Sequence, residues 1–383
     1  MHKVIYKIQE RNYGGASFLL HPHPYDDEIL SSWLIRVALA HHTAPATFTN
    51  IYLPESKNKL WSFDIDLQAE PFLLATLSEK SGISVKRLLQ ATLLDYEGYL
   101  FEKVYGNTGG TPFICPLGLR GRRSSLPGLR YCPICLKEDK QPYFRKKWRL
   151  ALSVACLKHR CFLQDHCPSC KTTLTPYLSG KYERLDVCYK CGTKLSKSKH
   201  TLISEGSEIL KTVERLYTVI DAGYLMIGNA PVYSHLYFQV LHQLLMLMLS
   251  QKYGERLLDG VCLKQDLAVG FKTFEGVPLD VQAGMIVKAV WLLDEWPDRL
   301  VSVCQKQNLL STPLLRDMNP APFWYWQVVI ERLYLPDRLV TPTEIREAIV
   351  YMERHGITYS ELALSRLLGV GQVFRKRKCR HFG

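Results

Sequence analysis

Eight side chains in the middle of this chain are of types that hold a metal, and they come as four pairs with two residues between partners: Cys132 and Cys135, Cys156 and His159, Cys167 and Cys170, Cys188 and Cys191. Zinc takes four sulfur or nitrogen ligands in a tetrahedron, and a two-residue gap lets one tight turn offer two of them to a single ion. A second pair about 15 to 20 residues away completes the shell. Twenty residues lie between Cys135 and Cys156 and seventeen between Cys170 and Cys188, so neighbouring pairs give one site of three cysteines and a histidine and one of four cysteines. Crossed pairing between the two sites is the alternative. Four protein ligands close each shell, whereas a catalytic zinc keeps a position open for water. Two structural zinc ions per chain are therefore expected. Reduced cysteines also pack in cores as small hydrophobes, but core packing gives no reason to repeat one gap four times. His166 and Cys161 have no partner at that gap and are read as supports of the sites or as packing residues.

The elements that must position these ligands belong to a globular protein. At 383 residues and 47% hydrophobic content, two or three domains with real cores are expected. Twelve cysteines and no recognisable secretory leader point to a reducing cytosol, where clustered thiols hold metal. The longest apolar run, Val240 to Leu249, is interrupted by His242 and Gln243 and is too short to span a bilayer. The net charge of +13 and pI near 9.1 favour polyanionic partners. Its distribution says more than its size. Between Leu119 and Arg160 there are twelve basic residues and two acidic ones, Glu138 and Asp139, so positive charge collects around the first metal site.

In chain order, residues 1–22 lack periodicity and read as a partly ordered arm. From Glu28 the positions Ile29, Leu30, Trp33, Leu34 and Val37 predict an amphipathic helix of about a dozen residues, with Asp26 or Asp27 as its cap. Pro71 to Lys80, a turn at Gly82, and Ser84 to Leu94 predict two helices joined by a capped turn. On the second of these, Lys86, Arg87 and Gln90 point away from the apolar face. This is either a helix-turn-helix presenting them to nucleic acid or a partner, or an ordinary hairpin with a solvated basic face. Asn107 to Pro127 reads as a loop that carries Arg120, Arg122 and Arg123 toward phosphates or solvent. Lys146 and Lys147 precede Trp148 in a second basic cluster, Arg145 to Arg149, and are read as further nucleic-acid or partner contacts, with Trp148 itself read as core. After Lys199, helices are predicted over Ile209 to Ile220, Val232 to Tyr253, Leu279 to Leu293 and Phe323 to Leu333, with Trp291, Trp296, Trp324 and Trp326 as core or interface anchors. Thr341 with Glu344, and Thr358 with Glu361, read as capping boxes. They start two helices around the His355–Gly356–Ile357 turn. A further turn at Leu368–Gly369–Val370 leads into the basic run Arg375, Lys376, Arg377, Lys378, which reads as a second helix-turn-helix with a nucleic-acid-binding tail or as a solvated hairpin and tail. No carboxylate pair, Ser/Cys–His dyad, nucleotide-binding Walker loop or acidic triad has usable spacing, so no enzymatic activity is expected.

Tyr131-Cys132-Pro133-Ile134-Cys135-Leu136, Trp148, Cys156-Leu157-Lys158-His159 and Cys167-Pro168-Ser169-Cys170 resemble the TniQ family, which includes TnsD-type target selectors of transposons. The opening Pro24-Tyr25-Asp26-Asp27-Glu28 and Leu30-Ser31-Ser32-Trp33-Leu34-Ile35-Arg36-Val37-Ala38 resembles the family's usual start, and the likeness covers about residues 20 to 195. It implies a mainly α protein with an N-terminal helix-turn-helix domain (1–110), a tandem zinc-finger or zinc-ribbon module (111–200), a helical domain (201–334) and a C-terminal helix-turn-helix with a basic tail (335–383). The function it implies is transposition target selection: a non-enzymatic adaptor linking an RNA-guided Cascade effector with its crRNA, or attachment-site DNA, to the AAA+ ATPase TnsC and the transposase. A homodimer, no membrane, and a cytoplasmic place at the bacterial nucleoid complete the expectation. The alternatives are a TnsD-type protein that binds attachment-site DNA directly, a zinc-containing helix-turn-helix transcription regulator, and a zinc-stabilised nuclease. The nuclease reading has no carboxylate cluster to hold catalytic ions.

Overall fold

The computed structural model describes residues 17–368 except 57–58, 105–109, 118–127, 181–183, 259–270, 319 and 334–340, and it is mainly helical. The first amphipathic stretch is helix α1, Leu30–Ala40, which buries Trp33, Leu34 and Val37. Neither Asp26 nor Asp27 caps it. The N-cap residue is Ile29, with no side-chain bond. Asp27 instead accepts the Tyr143 hydroxyl at 2.8 Å. Buried Glu28 organises the helix entry: it accepts the Tyr25 amide at 3.1 Å and the Ser32 hydroxyl at 2.8 Å, and it pairs with Arg36. A cation buried in α1 requires its carboxylate inside the fold, and Glu28 occupies that place.

Helix α2 (Pro45–Tyr52) packs on α1, and α3 (Pro71–Ser81) is joined to α4 (Val85–Gln90). The joining turn has the expected chemistry. Gly82 takes the left-handed φ of +71° that closes α3, and Ser84 accepts the Arg87 amide at 3.3 Å to open α4. The second helix is shorter than periodicity predicts, six residues ending at Gln90. Thr92 intervenes, accepting the Leu94 amide at 3.2 Å and starting a separate 3-10 turn over Leu93–Tyr96. A threonine side chain that bonds its local backbone competes with helix continuation, which is why an unbroken apolar pattern gave too long a helix.

The central segment carries little regular structure: α5 (Pro133–Glu138) and the two-residue strands β1 (Ala155–Cys156) and β2 (Cys161–Phe162), paired antiparallel. Beyond it, α6 (Glu208–Ala222) opens on a Ser207 cap and closes at Gly223. A hairpin follows, β3 (Tyr224–Ile227) against β4 (Ala230–Tyr233), and then α7 (Ser234–Met248). Val232, expected to begin a helix, lies in β4. Its hydrophobic neighbours belong to a strand because Gly228, at a φ of +59°, and Asn229 make a two-residue turn. Helices α8 (Gly254–Leu258), α9 (Leu279–Leu293), α10 (Asp298–Lys306), α11 (Ser311–Leu315) and α12 (Phe323–Leu333) complete this region. The last two described helices are α13 (Pro342–Arg354) and α14 (Glu361–Leu368). The Thr341–Glu344 capping box is formed in both directions. The cap of α14 is Ser360, whose hydroxyl accepts the Ala363 amide at 3.1 Å, in place of Thr358. That helix begins at Glu361, and only the residue immediately before it can reach the first free amides. The turn at Gly369 and the tail beyond lie outside the described residues.

From Phe18 to Leu333 the buried side chains form one continuous apolar cluster, while Ala348, Met352 and Leu364 form a small second one. Two fully buried arginines cross the first cluster. Arg149 reaches Asp66 at 2.9 Å, Asp64 at 2.5 Å and the Cys115 carbonyl at 3.0 Å. Arg130 donates to the carbonyls of Leu150, Ala151 and Ser153 at 3.2, 3.0 and 2.8 Å and to the Gln282 side chain of α9. In turn Gln282 donates to the Phe274 carbonyl at 2.7 Å. A third tie runs from the Phe113 amide to Glu275 at 2.8 Å. These bonds lock the metal-ligand segment onto the later helices.

Candidate metal centres

Each ligand pair sits on the kind of turn its spacing calls for. Cys132 is the N-cap of α5, its sulfur accepting the Cys135 amide at 3.5 Å, and Pro133 in the first turn suits a position with no amide to satisfy. Cys156 ends β1 opposite Cys161 on β2, so His159 lies in the connecting turn. The histidine Nδ1 is 3.3 Å from Cys132 Sγ, 3.2 Å from Cys135 Sγ and 3.6 Å from Cys156 Sγ, and Cys135 and Cys156 are 3.7 Å apart. With Zn–S bonds of about 2.3 Å, the edge of a tetrahedron is about 3.8 Å. A disulfide would hold sulfurs at about 2.05 Å. The spacing is therefore that of ligands around an ion, and all four cysteine-rich pairs are free of disulfides.

The second cluster is built from two matching turns. Cys167 donates its amide to Thr172 and receives Lys171 at its carbonyl; Cys188 does the same with Thr193 and Gly192. Lys171 and Gly192 hold equivalent left-handed conformations, at φ of +56° and +73°. The two turns face each other with sulfur distances of 3.6 Å for Cys167–Cys191 and 3.7 Å for Cys170–Cys188. In each cluster all four ligand atoms lie within 4.8 Å of one another, and the groups are the uncrossed quartets.

Fit to a cation follows from charge as well as distance. Three thiols, or in the second cluster four, cannot all ionise alone at this spacing. Hydrogen bonds from Cys135 first, then Cys156 and Cys161, pull the Cys132 thiol below its usual range, while the same bond to Cys132 pushes the Cys135 thiol up. A divalent ion would let the remaining thiols ionise, which is the usual state of zinc-bound cysteine.

Two supports of the first cluster carry no spacing signal. With Nδ1 toward the sulfurs, His159 turns Nε2 to Glu138 at 3.0 Å, and Glu138 also takes Lys158 at 2.7 Å. Lys158 first, then His159, holds the Glu138 carboxyl below its usual range. A carboxylate on the far nitrogen sets the tautomer and orientation of a liganding histidine. Glu138→Gln is expected to weaken zinc at the first cluster by about 10- to 100-fold with the second unaffected, read by competitive titration with a chromophoric chelator. Equal affinities would remove Glu138 from this role. The other support is Tyr131, fully buried, whose hydroxyl meets the His166 carbonyl at 3.0 Å and Ser198 at 2.6 Å while its backbone pairs with Gln164. It ties the two clusters together. Cys161 lies 3.7 Å from Cys132 but outside the quartet, and His166 pairs with Asp165 at 2.6 Å.

The expected nucleic-acid residues fare differently. Lys86 and Gln90 are exposed on α4. Arg87 is not turned outward with them: its guanidinium donates to the carbonyls of Pro24 and Tyr25 at 3.3 and 2.5 Å. Lys146 is held by the Gln90 carbonyl and Asp95, both at 2.6 Å, and Lys147 by Asp221 at 3.2 Å over the Tyr217 ring. The basic run beside the first cluster is thus largely wired into the fold, because its carboxylates arrive from distant segments that a local charge count cannot see. Arg120, Arg122, Arg123, Arg375, Lys376, Arg377 and Lys378 lie outside the described residues.

The first quartet, placed on α5 and the β1–β2 hairpin, falls in a stretch that resembles a known family. Residues 19–163 match the TniQ family. The matched span runs from the approach to α1 through His159, so the first cluster lies inside it and the second beyond its end. No curated protein matches the chain. No helix among the described residues is long and apolar enough to cross a membrane.

Proposed function

We propose that this chain is a non-enzymatic target-selection adaptor for DNA transposition, carrying two structural zinc ions. Cys132, Cys135, Cys156 and His159 hold one, and Cys167, Cys170, Cys188 and Cys191 the other. The observation that carries the reading is the TniQ match over residues 19–163, with a closed four-ligand cluster inside it. In this reading the N-terminal helical unit and the zinc unit hold two partners at once: the AAA+ ATPase TnsC on one side, and on the other a target-recognition module, a Cascade effector or attachment-site DNA. Closed shells leave no position for water, so cutting and joining belong to the transposase.

The α3–α4 pair supplies the contact surface we assign to a partner or DNA, through exposed Lys86 and Gln90. Arg87 is excluded from this surface by its bonds to the Tyr25 segment. Direct binding of attachment-site DNA is the second reading, favoured by the separate small core of α13 and α14, which sets that helix pair apart from the main cluster.

The test is co-purification of the full chain with the transposon ATPase and with the target-recognition complex, beside a DNA-cleavage assay of the chain alone. Lys86→Glu with Gln90→Glu is expected to lower recruitment about tenfold with zinc content and melting unchanged, since surface substitutions shift stability by only about 0.5 kcal/mol. Binding to neither partner, or cleavage that survives repurification, overturns the adaptor reading.

A further inference from the structure

A cleft of about 800 Å³ opens on the helical half of the molecule, beyond the TniQ span, between α6, α8, α9 and α10. Lys211, Arg215, Arg256, Lys288 and Lys306 line it, against two carboxylates, Glu208 and Asp294. Both carboxylates are engaged: Glu208 with Lys211 at 2.8 Å, and Asp294 with Arg215 and, at 3.8 Å, Arg299. Arg256 and Lys306 are exposed and have no ion-pair partner among the described residues. The walls between these charges are apolar, formed by Val290, Val303 and Trp291.

We propose that this cleft binds an acidic peptide segment of a partner protein, one that carries apolar side chains beside its carboxylates. Charge complementarity sets the sign, since the lining has three more cations than carboxylates and two of those cations have no ion-pair partner among the described residues. The apolar walls set the class. A phosphodiester chain offers them little to cover, whereas a peptide places a leucine or phenylalanine next to a glutamate. The aromatic group argues the same way. Lys288 and Arg299 already lie over the Trp291 ring, at 4.0 and 4.7 Å, so its π surface is used by cations and not offered to a nucleobase. Glu208 and Asp294 also face any ligand, and a chain charged at every unit meets them unavoidably while a peptide can space its acids around them. The volume suits a short segment held in a pocket. This inference does not depend on the adaptor reading, which concerns other surfaces.

The probe is an array of random dodecamer peptides incubated with full-length, zinc-loaded protein, with single-stranded oligothymidylate as competitor. Bound spots are expected to be enriched in Asp or Glu adjacent to Leu or Phe. Their signal should fall about tenfold with Arg256→Glu plus Lys306→Glu, with a smaller loss for Arg256→Gln plus Lys306→Gln, as removal and then reversal of steering charge predicts. Zinc content and melting temperature serve as the folding control, and the glutamine pair keeps the test valid if the reversal fails to fold. Absence of acidic enrichment, enrichment indifferent to both pairs, or displacement by the oligonucleotide that these same substitutions abolish each overturns the proposal, the last in favour of a nucleic-acid site.

Discussion

Prolonged dialysis of the purified protein against a strong chelator is expected to release about two zinc ions per chain and to unfold the central segment. Structural zinc contributes about 10 to 16 kcal/mol in small zinc-binding peptides, against a total stability of about 5 to 15 kcal/mol for a typical domain. Regular structure in the central segment is slight, with one six-residue helix and a pair of two-residue strands, so apart from its share of the apolar cluster and the buried arginine bonds the ions are what hold its ligand turns. Seven of the eight ligands are cysteines that take protons back when the ion leaves, so the empty protein loses the bonds that held its ligand turns together. The two ions should leave in order. Cys191 is exposed and Cys170 half-buried, whereas Cys132, Cys135 and Cys156 are all buried, so the four-cysteine site should empty first. A metal indicator followed alongside near-ultraviolet circular dichroism reads both events. A folded protein with fewer than two metals and reduced thiols would sink the assignment.

Arg149→Met is expected to cost about 3 to 5 kcal/mol, the penalty for leaving a buried carboxylate without its cation. Asp66 is fully buried, and burial raises its pKa to about 6 even with Arg149 opposing that rise. A carboxyl whose folded pKa lies above its unfolded value binds more protons folded than unfolded. Stability therefore falls as pH rises through that window, from about 4 to about 6 here. Without Arg149, whose charge lowers it, the folded pKa of Asp66 climbs further and the fall extends to higher pH. The deficit of the variant should accordingly be smaller at pH 5.5 than at pH 8 in urea unfolding, with zinc content checked at both. A loss under about 1 kcal/mol, or one independent of pH, would show that the pair is solvated and not held dry by the arginine.

Legibility differed by the range over which each feature is determined. The grouping of the eight Cys and His side chains into two uncrossed quartets could be read directly because a two-residue gap is a local rule, as were the Gly82 and Ser84 turn and the Thr341–Glu344 box. Helices α9 and α12 fall on the residues that periodicity predicted. The β3–β4 hairpin was missed although Gly228-Asn229 marked it, because apolar runs on either side also suit helices. What no local pattern could give was the pairing of charges. Arg149 finds Asp64 and Asp66, Lys146 finds Asp95 and Lys147 finds Asp221, all more than fifty residues away in sequence. A run that reads as a basic surface is for the most part an internal network. Glu138 was visible only as one of two acids in that run, and its meaning came from the orientation of His159.

The tie from Arg130 to Gln282 has a consequence for how such a chain can change over evolutionary time. A recombination junction near residue 200 would join two halves that each expect the other's side chains. Arg130 would retain its three carbonyls but lose its amide partner, and Phe113 would lose Glu275, at buried positions. Swapping a foreign helical half onto this metal-binding half is therefore unfavourable from the first generation. A junction between Leu333 and Thr341 separates the main apolar cluster from the small one and severs no buried bond among the described residues. New specificities acquired by gene exchange should enter this lineage at the C-terminal helix pair, while the remainder descends as an indivisible block.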